Sequence, residues 1–390
     1  MNIPAIPHQE VTPQNERFGG CFENKTVFVT GHTGFKGSWL CEWLLFLKAK
    51  VVGYSLSPDS DPSLFEQLQL ADRLHHRLGD IRDPTLLRTA VEESQPDFVF
   101  HLAAQPLVRR SYLDPVETYA TNVTGTLHLI EALRALSKPC AALFITTDKC
   151  YENRDWVYGY RENDALGGHD PYSSSKAAAE IAIASWRRSF FQNHPVRIAS
   201  VRAGNVIGGG DWAADRIVPD CMRALRLGQP ILVRNPNSTR PWQHVLEPLS
   251  GYLWLAAKLS QSDATLGAGV DALDTAFNFG PGPDANRTVR ELVEEIIGHW
   301  PGQWTDGSES NAPHEARLLQ LSCDKASALL DWQPTWEFTD AIRETTRWYR
   351  DVLAGGGVGF ASRVTLGQIS AYTERASALC RAWAVSPPNI

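Results

Sequence analysis

Short apolar runs alternate with longer amphipathic segments from residue 25 to residue 204. Runs rich in Val, Ile and Phe and bounded by turn residues are typical of buried strands, and apolar positions at helical spacing predict helices. The pattern predicts strands at 25–30, 51–54, 97–103, 141–147 and 196–201. It predicts helices at 34–48, 64–70, 83–93, 116–136 and 171–191.

This alternation predicts an α/β fold, a Rossmann-type doubly wound parallel sheet with helices on both faces. After the triple glycine at 208–210 the elements shorten and Trp, Pro and Arg become frequent, which predicts a smaller C-terminal lobe. Residues 276–279 resemble a strand that could return to the sheet. We expect an N-terminal extension (1–21), a dinucleotide-binding domain (22–204, with 245–280 partly returning to it), a smaller substrate-binding lobe (205–350) and a C-terminal helical tail (351–390).

The composition is that of an ordinary soluble globular chain, with 43% hydrophobic and 21% charged residues. A net charge of −7 offers no basic surface for nucleic acid, so local Arg residues would have to hold an anionic small molecule. No apolar run approaches the roughly 20 residues of a membrane span, and the first residues lack the pattern of a signal peptide. The seven Cys are scattered without metal spacing, so we expect a cytoplasmic protein with reduced thiols and no metal.

A glycine-rich segment, Gly-His-Thr-Gly-Phe-Lys-Gly, lies between the first predicted strand and the first predicted helix. Gly31 suits the turn, Gly34 lets the backbone approach a pyrophosphate, and Gly37 lets the helix pack closely on the sheet. The pyrophosphate would lie at the helix N-terminus, beside Thr33 and Phe35. A strand–turn–helix that binds nothing also contains glycines, but this position between strand and helix favours a dinucleotide.

The choice between NAD and NADP depends on the end of the second predicted strand. Ser55 stands where an acidic residue would hold the adenosine ribose of NAD, and no Arg follows closely to hold a 2′-phosphate. We expect NAD, with NADP as the alternative. Further candidates for the cofactor site, each of which could instead be a turn or packing residue, are Asp80, Ile81, Leu102, Ala103, Ala104, Gln105 and Asn122.

Tyr172 and Lys176 are four residues apart in a predicted helix, so they would share one face about 6 Å apart at Cβ. A free Tyr has a pKa of about 10, and a neighbouring ammonium and a nicotinamide cation would lower that pKa toward a usable base. Thr147, at a strand end facing this helix, adds a hydroxyl. Asp148 adds a carboxyl group that plain oxidation of an alcohol does not need, although Asp148 and Lys149 could simply form an ion pair at the strand end. The pattern predicts a redox enzyme that also eliminates water.

The chain resembles the extended short-chain dehydrogenases/reductases and, within them, the nucleotide-sugar 4,6-dehydratases, with the CDP-glucose 4,6-dehydratases as the nearest group. The resemblance covers about residues 22–350, and the segments that carry it are 30–37, 101–112, 147–151, 156–162, 170–176, 202–212 and 240–245. The Asp-Lys pair at 148–149, Gly-Gly-Gly-Asp-Trp at 208–212 and Arg-Pro-Trp-Gln-His-Val at 240–245 are specific motifs. The glycine-rich segment at 31–37 is not a specific motif when it is taken alone.

The resemblance implies a mechanism. Tyr172 would take the proton of the sugar 4-hydroxyl while hydride passes from C4 to NAD, and Lys176 would hold the nicotinamide ribose. Asp148 would protonate the departing 6-hydroxyl, after which hydride returns to C6. Relatives that act on thymidine-diphosphate sugars have Glu as the C5 base where this chain has Lys149, so Lys149 is assigned to C5 either as the base or as a stabiliser of the enolate.

The resemblance also implies substrate contacts and an assembly. Bidentate Arg is the natural partner of a nucleotide diphosphate. The expected substrate-binding residues are Arg109, Ser111, Asn205, Arg216, Arg240 and His314. A homodimer through the helices of Val116 and Tyr172 is expected as well. The alternatives are a related epimerase or decarboxylase, a dehydratase for another nucleotide-hexose, and a cofactor-sensing protein without activity.

Overall fold

The computed structural model describes residues 14–261, 273–308 and 318–385. In these ranges the strands are β1 (Thr26–Thr30), β2 (Lys50–Ser55), β3 (His75–Leu78), β4 (Phe98–His101), β5 (Cys140–Ile145), β6 (Val196–Arg202), β7 (Val206–Ile207), β8 (Ile231–Val233), β9 (Thr239–Pro241), β10 (Gln243–His244), β11 (Ala276–Asn278), β12 (Asn286–Thr288) and β13 (Trp304–Asp306). The α-helices are α1 (Phe35–Phe46), α2 (Leu64–Gln67), α3 (Pro84–Ser94), α4 (Val108–Leu113), α5 (Pro115–Tyr119), α6 (Thr126–Arg134), α7 (Pro171–Phe190), α8 (Ile217–Arg226), α9 (Leu246–Gln261), α10 (Val289–His299), α11 (Asp324–Leu330), α12 (Phe338–Leu353) and α13 (Phe360–Ala378).

The main sheet has seven parallel strands in the order β11-β6-β5-β4-β1-β2-β3. Every residue of β4 and β5 is buried, which explains why these strands are continuous apolar runs in the sequence. The strand order reverses at β1, between β4 and β2, and ligands of such sheets bind beyond the carboxyl ends of the strands at this point. The predicted fold class is confirmed.

Helices cover both faces of the sheet. On one face α1, α9, α12 and α13 share a large apolar core that includes Trp39, Leu143 and Leu253. On the other face α3, α6 and α7 share a second core that includes Leu87 and Leu133. The sheet is therefore held between two apolar layers, and its carboxyl edge is left for polar side chains.

The smaller lobe lies over that edge. It contains three short strand pairs, β7 with β10, β9 with β12 and β8 with β13, together with α8 and α10. Strand β11 pairs with β6 and so brings the chain back to the main sheet. Leu232, Arg234 and Arg240 of this part of the chain line the same cavity as the residues that follow β4, β5 and β6.

Both ends of the described chain pack into the main core. The buried ring of Phe18 stacks on the ring of Trp383 with centroids 5.0 Å apart, and the Phe18 N–H donates to the Trp383 carbonyl at 2.8 Å. Helix α13 packs against α1 and α12. The segment expected as a helical tail is therefore continuous with the core, which its local sequence pattern did not indicate.

Two predicted helices differ in detail from the structure. The helix expected at 64–70 ends at Gln67, because Gln69 takes a left-handed conformation with φ of 53° before a 3-10 turn. The helix expected at 116–136 consists of α5, a π-helical turn over Ala120–Gly125, and α6. The π-helical turn contains Asn122, one of the candidates for the cofactor site.

Candidate active site

A cavity of about 1700 Å³ runs along the carboxyl edge of the sheet between the two lobes. Its walls come from the glycine loop, the ends of β2, β4, β5 and β6, the first turns of α7, and the segment that precedes α8. The ends of parallel strands meet at one edge, so residues far apart in sequence share this wall.

The glycine loop forms one end of the cavity wall. Gly31 has φ of 72°, and a Cβ there would lie 2.6 Å from the backbone nitrogen of Ala103. A Cβ on Gly37 would clash with the carbonyl oxygen of Gly31. Helix α1 begins after Gly34 without a side-chain cap, so its first N–H groups point into the cavity edge and suit an anionic group. The loop fits a dinucleotide pyrophosphate.

A polar contact and a histidine pair brace this loop against β2 and β3. The hydroxyls of Thr33 and Ser55 lie 2.8 Å apart, so the Ser55 hydroxyl, in the position expected for a ribose-binding acid, hydrogen-bonds to the loop. The buried ring of His32 lies with its Nε2 2.7 Å from Nδ1 of His76. Burial, followed by the neighbouring His76, lowers the pKa of His32 to about 3, so the loop carries no charge from this ring. His32 was not among the predicted site residues.

The end of the cavity near β3 contains Asp80 and Ile81, two of the candidates for the cofactor site. The Asp80 carboxylate accepts hydrogen bonds from the Arg82 guanidinium, with Nη2 2.6 Å from Oδ2, and this contact lowers the pKa of Asp80. Arg82 also lines the cavity and was missed, since it follows the third strand and not the second. The positive charge of Arg82 is largely neutralised by the Asp80 carboxylate.

The loop after β4 contributes the predicted Leu102, Ala103, Ala104 and Gln105 to the wall. Asn122 does not line the cavity. It is buried, its Oδ1 accepts from the Gln105 N–H at 2.8 Å, and its Nδ2 donates to the Ser175 hydroxyl at 2.9 Å. Asn122 therefore ties the β4 loop to α7, and we interpret it as a positioning residue and not as a cofactor contact.

Tyr172 enters the cavity from the first turn of α7. Asp170 caps this helix through the Ser173 N–H at 2.9 Å, and Pro171 occupies the first position, so the helix start is fixed locally. Burial raises the pKa of Tyr172 to about 12, which the Thr147 hydroxyl opposes and the Asp148 carboxylate reinforces. The expected lowering of the Tyr172 pKa by the Lys176 ammonium is not found. Burial of the phenol away from water raises this pKa by more than the neighbouring cations of the protein lower it.

Lys176 lies one turn further along α7 and also lines the cavity. Burial lowers its pKa to about 8, and the Glu180 carboxylate acts in the opposite direction. Glu180 is itself buried and paired with Arg202, with Nη2 2.8 Å from Oε2. The buried Glu180 carboxylate therefore helps to keep the Lys176 ammonium charged.

Asp148 follows Thr147 at the end of β5, on the same cavity wall as Tyr172. Its carboxylate is buried, accepts from the Thr147 hydroxyl at 3.0 Å and lies 3.3 Å from the Asn205 amide nitrogen. The backbone of Gly204 lies directly against it, since a Cβ there would clash with the carboxylate oxygens. Lys149, half-buried, lines the same wall. The alternative of an Asp148–Lys149 ion pair is not found.

The lobe side of the cavity carries several guanidinium groups. Arg216 lies 2.8 Å from the Asp211 carboxylate, Arg240 is buried in the wall, and Arg109 and Arg234 both pair with Asp215, at 3.3 and 2.9 Å. Guanidinium groups of this kind are natural partners of an anion such as a diphosphate.

Two expected substrate contacts are not placed in the wall. Ser111 is buried and donates its hydroxyl proton to the Val108 carbonyl at 2.6 Å, so it stabilises α4 and does not line the cavity. His314 lies outside the described residues. Lys36 and Arg234, which sequence analysis did not assign, do line it.

Within residues 14–261, 273–308 and 318–385, no helix has the length and apolarity needed to cross a membrane. The same ranges contain no cluster of His, Cys, Asp or Glu suited to a metal ion.

Comparison with known proteins agrees with this architecture. The family model described as GDP-mannose 4,6 dehydratase matches residues 28–345. The CDP-glucose 4,6-dehydratase of Salmonella typhimurium is 46% identical over 361 residues, which is 91% of this chain and 98% of that protein. The dTDP-glucose 4,6-dehydratase of Haemophilus influenzae is 25% identical over 83% of this chain and 97% of its own length.

Solved structures share the fold at lower identity. The dTDP-glucose 4,6-dehydratase of Bacillus anthracis, in complex with NAD, superposes with a TM-score of 0.68 at 21% identity, covering 84% of this chain and 96% of that one. The dTDP-glucose 4,6-dehydratase DesIV of Streptomyces venezuelae, with NAD bound, gives 0.69 at 22% identity over 83% and 97%. From the family match and the 46% identical relative, this chain belongs to the nucleotide-sugar 4,6-dehydratases, within the short-chain dehydrogenase/reductase fold.

Proposed function

We propose that this chain converts CDP-D-glucose to CDP-4-dehydro-6-deoxy-D-glucose and water. The observation that carries the proposal is the single cavity wall shared by Tyr172, Lys176 and the buried carboxyl group of Asp148. An alcohol dehydrogenase needs the first two residues, whereas a buried acid beside them suits a reaction that also expels a hydroxyl group. The choice of CDP-glucose is supported by the 46% identical relative of that name.

The cofactor we propose is NAD, held by the glycine loop at its pyrophosphate, by the Asp80 region at its adenosine, and by Lys176 at its nicotinamide ribose. The contacts at Gly31 and Gly37, where no side chain fits, support this placement. The dehydratase neighbours with NAD in their structures support NAD over NADP. When bound there, NAD accepts a hydride from C4 of the sugar and returns it to C6, so that no net oxidation occurs.

The protein's own groups move the protons. Tyr172 takes the proton of the 4-hydroxyl, with the Thr147 hydroxyl beside it to share that proton. The 4-keto group makes the C5 proton acidic, and Lys149 handles this proton, either as its base or by stabilising the enolate. Asp148 then protonates the 6-hydroxyl as the C6–O bond breaks, which releases water, and a proton exchanged with solvent returns to C5 as hydride is delivered to C6. The cage formed by Thr147, Asn205 and Gly204 fixes the direction in which the Asp148 carboxyl group points.

The substrate diphosphate is assigned to Arg216 and Arg240, with Arg109 at the cavity mouth. A diphosphate competes with Asp211 for the Arg216 guanidinium, because bidentate contacts to phosphate oxygens match this planar group. The hexose then extends from the lobe toward Tyr172.

We further propose a cytoplasmic homodimer formed through the α5 and α7 helices. The apolar side chains of Val116 on α5 and of Ile181 and Phe190 on α7 are exposed, which supports burial against a second copy. Light scattering that returned the mass of a single chain would refute the dimer.

The seven Cys are all free thiols, which supports a reducing compartment.

The direct test is incubation of the purified protein with CDP-, dTDP-, UDP- and GDP-glucose in deuterated water, followed by detection of the alkali-sensitive 4-keto chromophore. We expect product from CDP-glucose above the others, with deuterium at C5 and none gained at C4. A changed C4 configuration without loss of the 6-hydroxyl would show an epimerase. Binding of NAD without turnover of any of the four sugars would indicate a cofactor-sensing protein.

A further inference from the structure

Tyr151 is a buried phenol in the cavity wall to which the reaction above assigns no task. It follows the 3-10 turn Asp148–Cys150, which carries Asp148 and Lys149 beyond the end of β5. The Thr147 hydroxyl caps the start of this turn by accepting from the Lys149 N–H at 3.3 Å. The chain leaves the turn at Tyr151, so the position of this residue decides how the turn ends.

The Tyr151 hydroxyl is held by the ends of two other strands. It accepts a hydrogen bond from Nη1 of Arg202 at 2.7 Å and donates one to Oδ1 of Asn278, also at 2.7 Å. Arg202 ends β6 and Asn278 ends β11, and these two residues are paired in register. Because β5, β6 and β11 are neighbours in the sheet, their carboxyl ends meet at this point. The Tyr151 ring also stacks on the ring of Tyr160, with centroids 5.1 Å apart. The phenol is therefore anchored to the sheet itself.

Arg202 connects this phenol to helix α7. Its other terminal nitrogen, Nη2, lies 2.8 Å from the Glu180 carboxylate. Successive spacings of four residues place Glu180 on the same face of α7 as Tyr172 and Lys176. One guanidinium therefore contacts both the helix that carries the oxidising pair and, through Tyr151, the turn that carries the groups assigned to elimination.

We propose that Tyr151 is a positioning residue for the elimination step, and that its hydroxyl fixes the turn of Asp148 and Lys149 relative to α7. The inference rests on the proposed function, since it requires C4 to be oxidised at Tyr172 and the hydroxyl group to leave C6 at Asp148. Both reactions take place on one hexose, so the Asp148 carboxyl group has to meet the C6 oxygen of a sugar whose C4 is already held at Tyr172. A displacement of about 1 Å between reacting groups is enough to cost a rate factor of about 10².

The test uses Tyr151→Phe, which removes the hydroxyl and keeps the ring that stacks on Tyr160. Arg202 retains Glu180 and the carbonyl of Glu162, to which Nη1 donates at 3.0 Å, so the buried charges stay compensated. In single-turnover absorbance measurements with CDP-glucose, we expect C4 oxidation to stay within about twofold of the unmodified protein and elimination to slow about tenfold, because the stacked ring limits the displacement. Reduced cofactor should therefore accumulate, and kcat should fall while the KM for CDP-glucose is unchanged.

Arg202→Lys is the second variant, and it decides the test if Tyr151→Phe fails to fold. A lysine ammonium keeps a positive charge beside Glu180 but lacks the planar fork that reaches the carboxylate and the phenol together. This variant should also accumulate reduced cofactor during turnover.

The matched control is Tyr372→Phe. It removes another buried phenolic hydroxyl, which donates to the Glu247 carboxylate at 2.9 Å, but Tyr372 does not line the cavity. The control should lower the melting temperature and leave the balance between C4 oxidation and elimination unchanged.

An unchanged kcat in Tyr151→Phe, without accumulation of reduced cofactor, would overturn the proposal. Equal slowing of C4 oxidation and elimination would overturn it as well, since this result would indicate a general loss of stability. Where only Arg202→Lys folds, a normal balance between the two steps in that variant has the same meaning. Failure of the unmodified protein to form a 4-keto product from any of the four nucleotide sugars would instead refute the proposed function.

Discussion

The buried pair of Glu180 and Arg202 offers the sharpest test of how the core supports the active site. Glu180 accepts hydrogen bonds from Arg202 at 2.8 Å, from the Thr146 hydroxyl at 2.5 Å and from the Ser200 hydroxyl at 2.8 Å. The side chains of the pair are 2% and 4% exposed. Glu180→Gln keeps the shape but removes the negative charge, so Arg202 is left buried without its counter-ion.

The expected loss of folding free energy follows from the burial of this ion pair. Removal of one partner of a buried ion pair costs about 3–5 kcal/mol, because the remaining charge is uncompensated. Unfolding of 390 residues, at about 2.1 cal/mol/K per residue, has an entropy of roughly 0.8 kcal/mol/K. The melting temperature at pH 7 should therefore fall by about 4–6 °C, as measured by calorimetry or circular dichroism.

The pH dependence of this difference has a definite sign. Burial acts to raise the pKa of Glu180, but Arg202 and the hydroxyl donors outweigh it, so the folded-state pKa is lowered. A carboxylate with a lowered folded-state pKa contributes stability above its unfolded pKa of about 4.3. The contribution is lost as the pH falls through the folded-state value, so the difference in melting temperature should shrink in acid.

The same variant has a functional consequence through Lys176. Glu180 raises the pKa of Lys176 against the effect of burial, so its removal should lower that pKa below about 8. The loss of activity at high pH should therefore begin at a lower pH in Glu180→Gln. The matched control is Glu92→Gln, which breaks the exposed pair with Arg88 and should change neither property. An unchanged melting temperature and pH profile in Glu180→Gln would refute the reasoning.

Three further predictions concern the reacting groups. Asp148→Asn should slow elimination by about 10²–10⁴ while C4 oxidation continues, so reduced cofactor should accumulate as near-ultraviolet absorbance; normal turnover would exclude Asp148 as the acid. Tyr172→Phe should abolish that absorbance because C4 oxidation itself is blocked, and retained activity would contradict the assignment. Gly204→Ala should displace the Asp148 carboxylate, against which its Cβ would clash, and reduce kcat with little change in NAD affinity. Gly298→Ala, where a Cβ would meet no atom within 4 Å, is the control.

Much of the fold was predictable because its signals are local. The strands buried on both faces give continuous apolar runs. The start of α7 is predictable from its N-cap residue, Asp170, and from Pro171 at its first position. The pairing of Tyr172 with Lys176 follows from helical spacing alone. Asp148 could be placed on the same wall because the ends of neighbouring parallel strands meet at one edge.

The remaining features depend on contacts between distant segments. Arg82 reaches the Asp80 end of the cavity from the turn after β3, and Arg234 reaches the cavity from beyond β8, so no spacing rule connects them to the glycine loop. The orientation of Ser111 and Asn122 was not predictable either, because each is decided by which backbone groups need a partner. A short polar side chain gives the same sequence signal whether it lines the cavity or forms a hydrogen bond with a backbone group.

The charge state of the site shows why the direction of a pKa shift needs the structure. Burial raises the pKa of Tyr172 to about 12 and lowers that of Lys176 and of Lys36 to about 8, so the protein's own environment disfavours the charged form of each of these three groups. A phenol in such a site keeps its proton at neutral pH. A nicotinamide cation beside it would favour the phenolate, so the base would form where the hydride acceptor is present. Under the proposed function, this dependence of the base on the bound cofactor would restrict proton abstraction to the complex that can complete the oxidation.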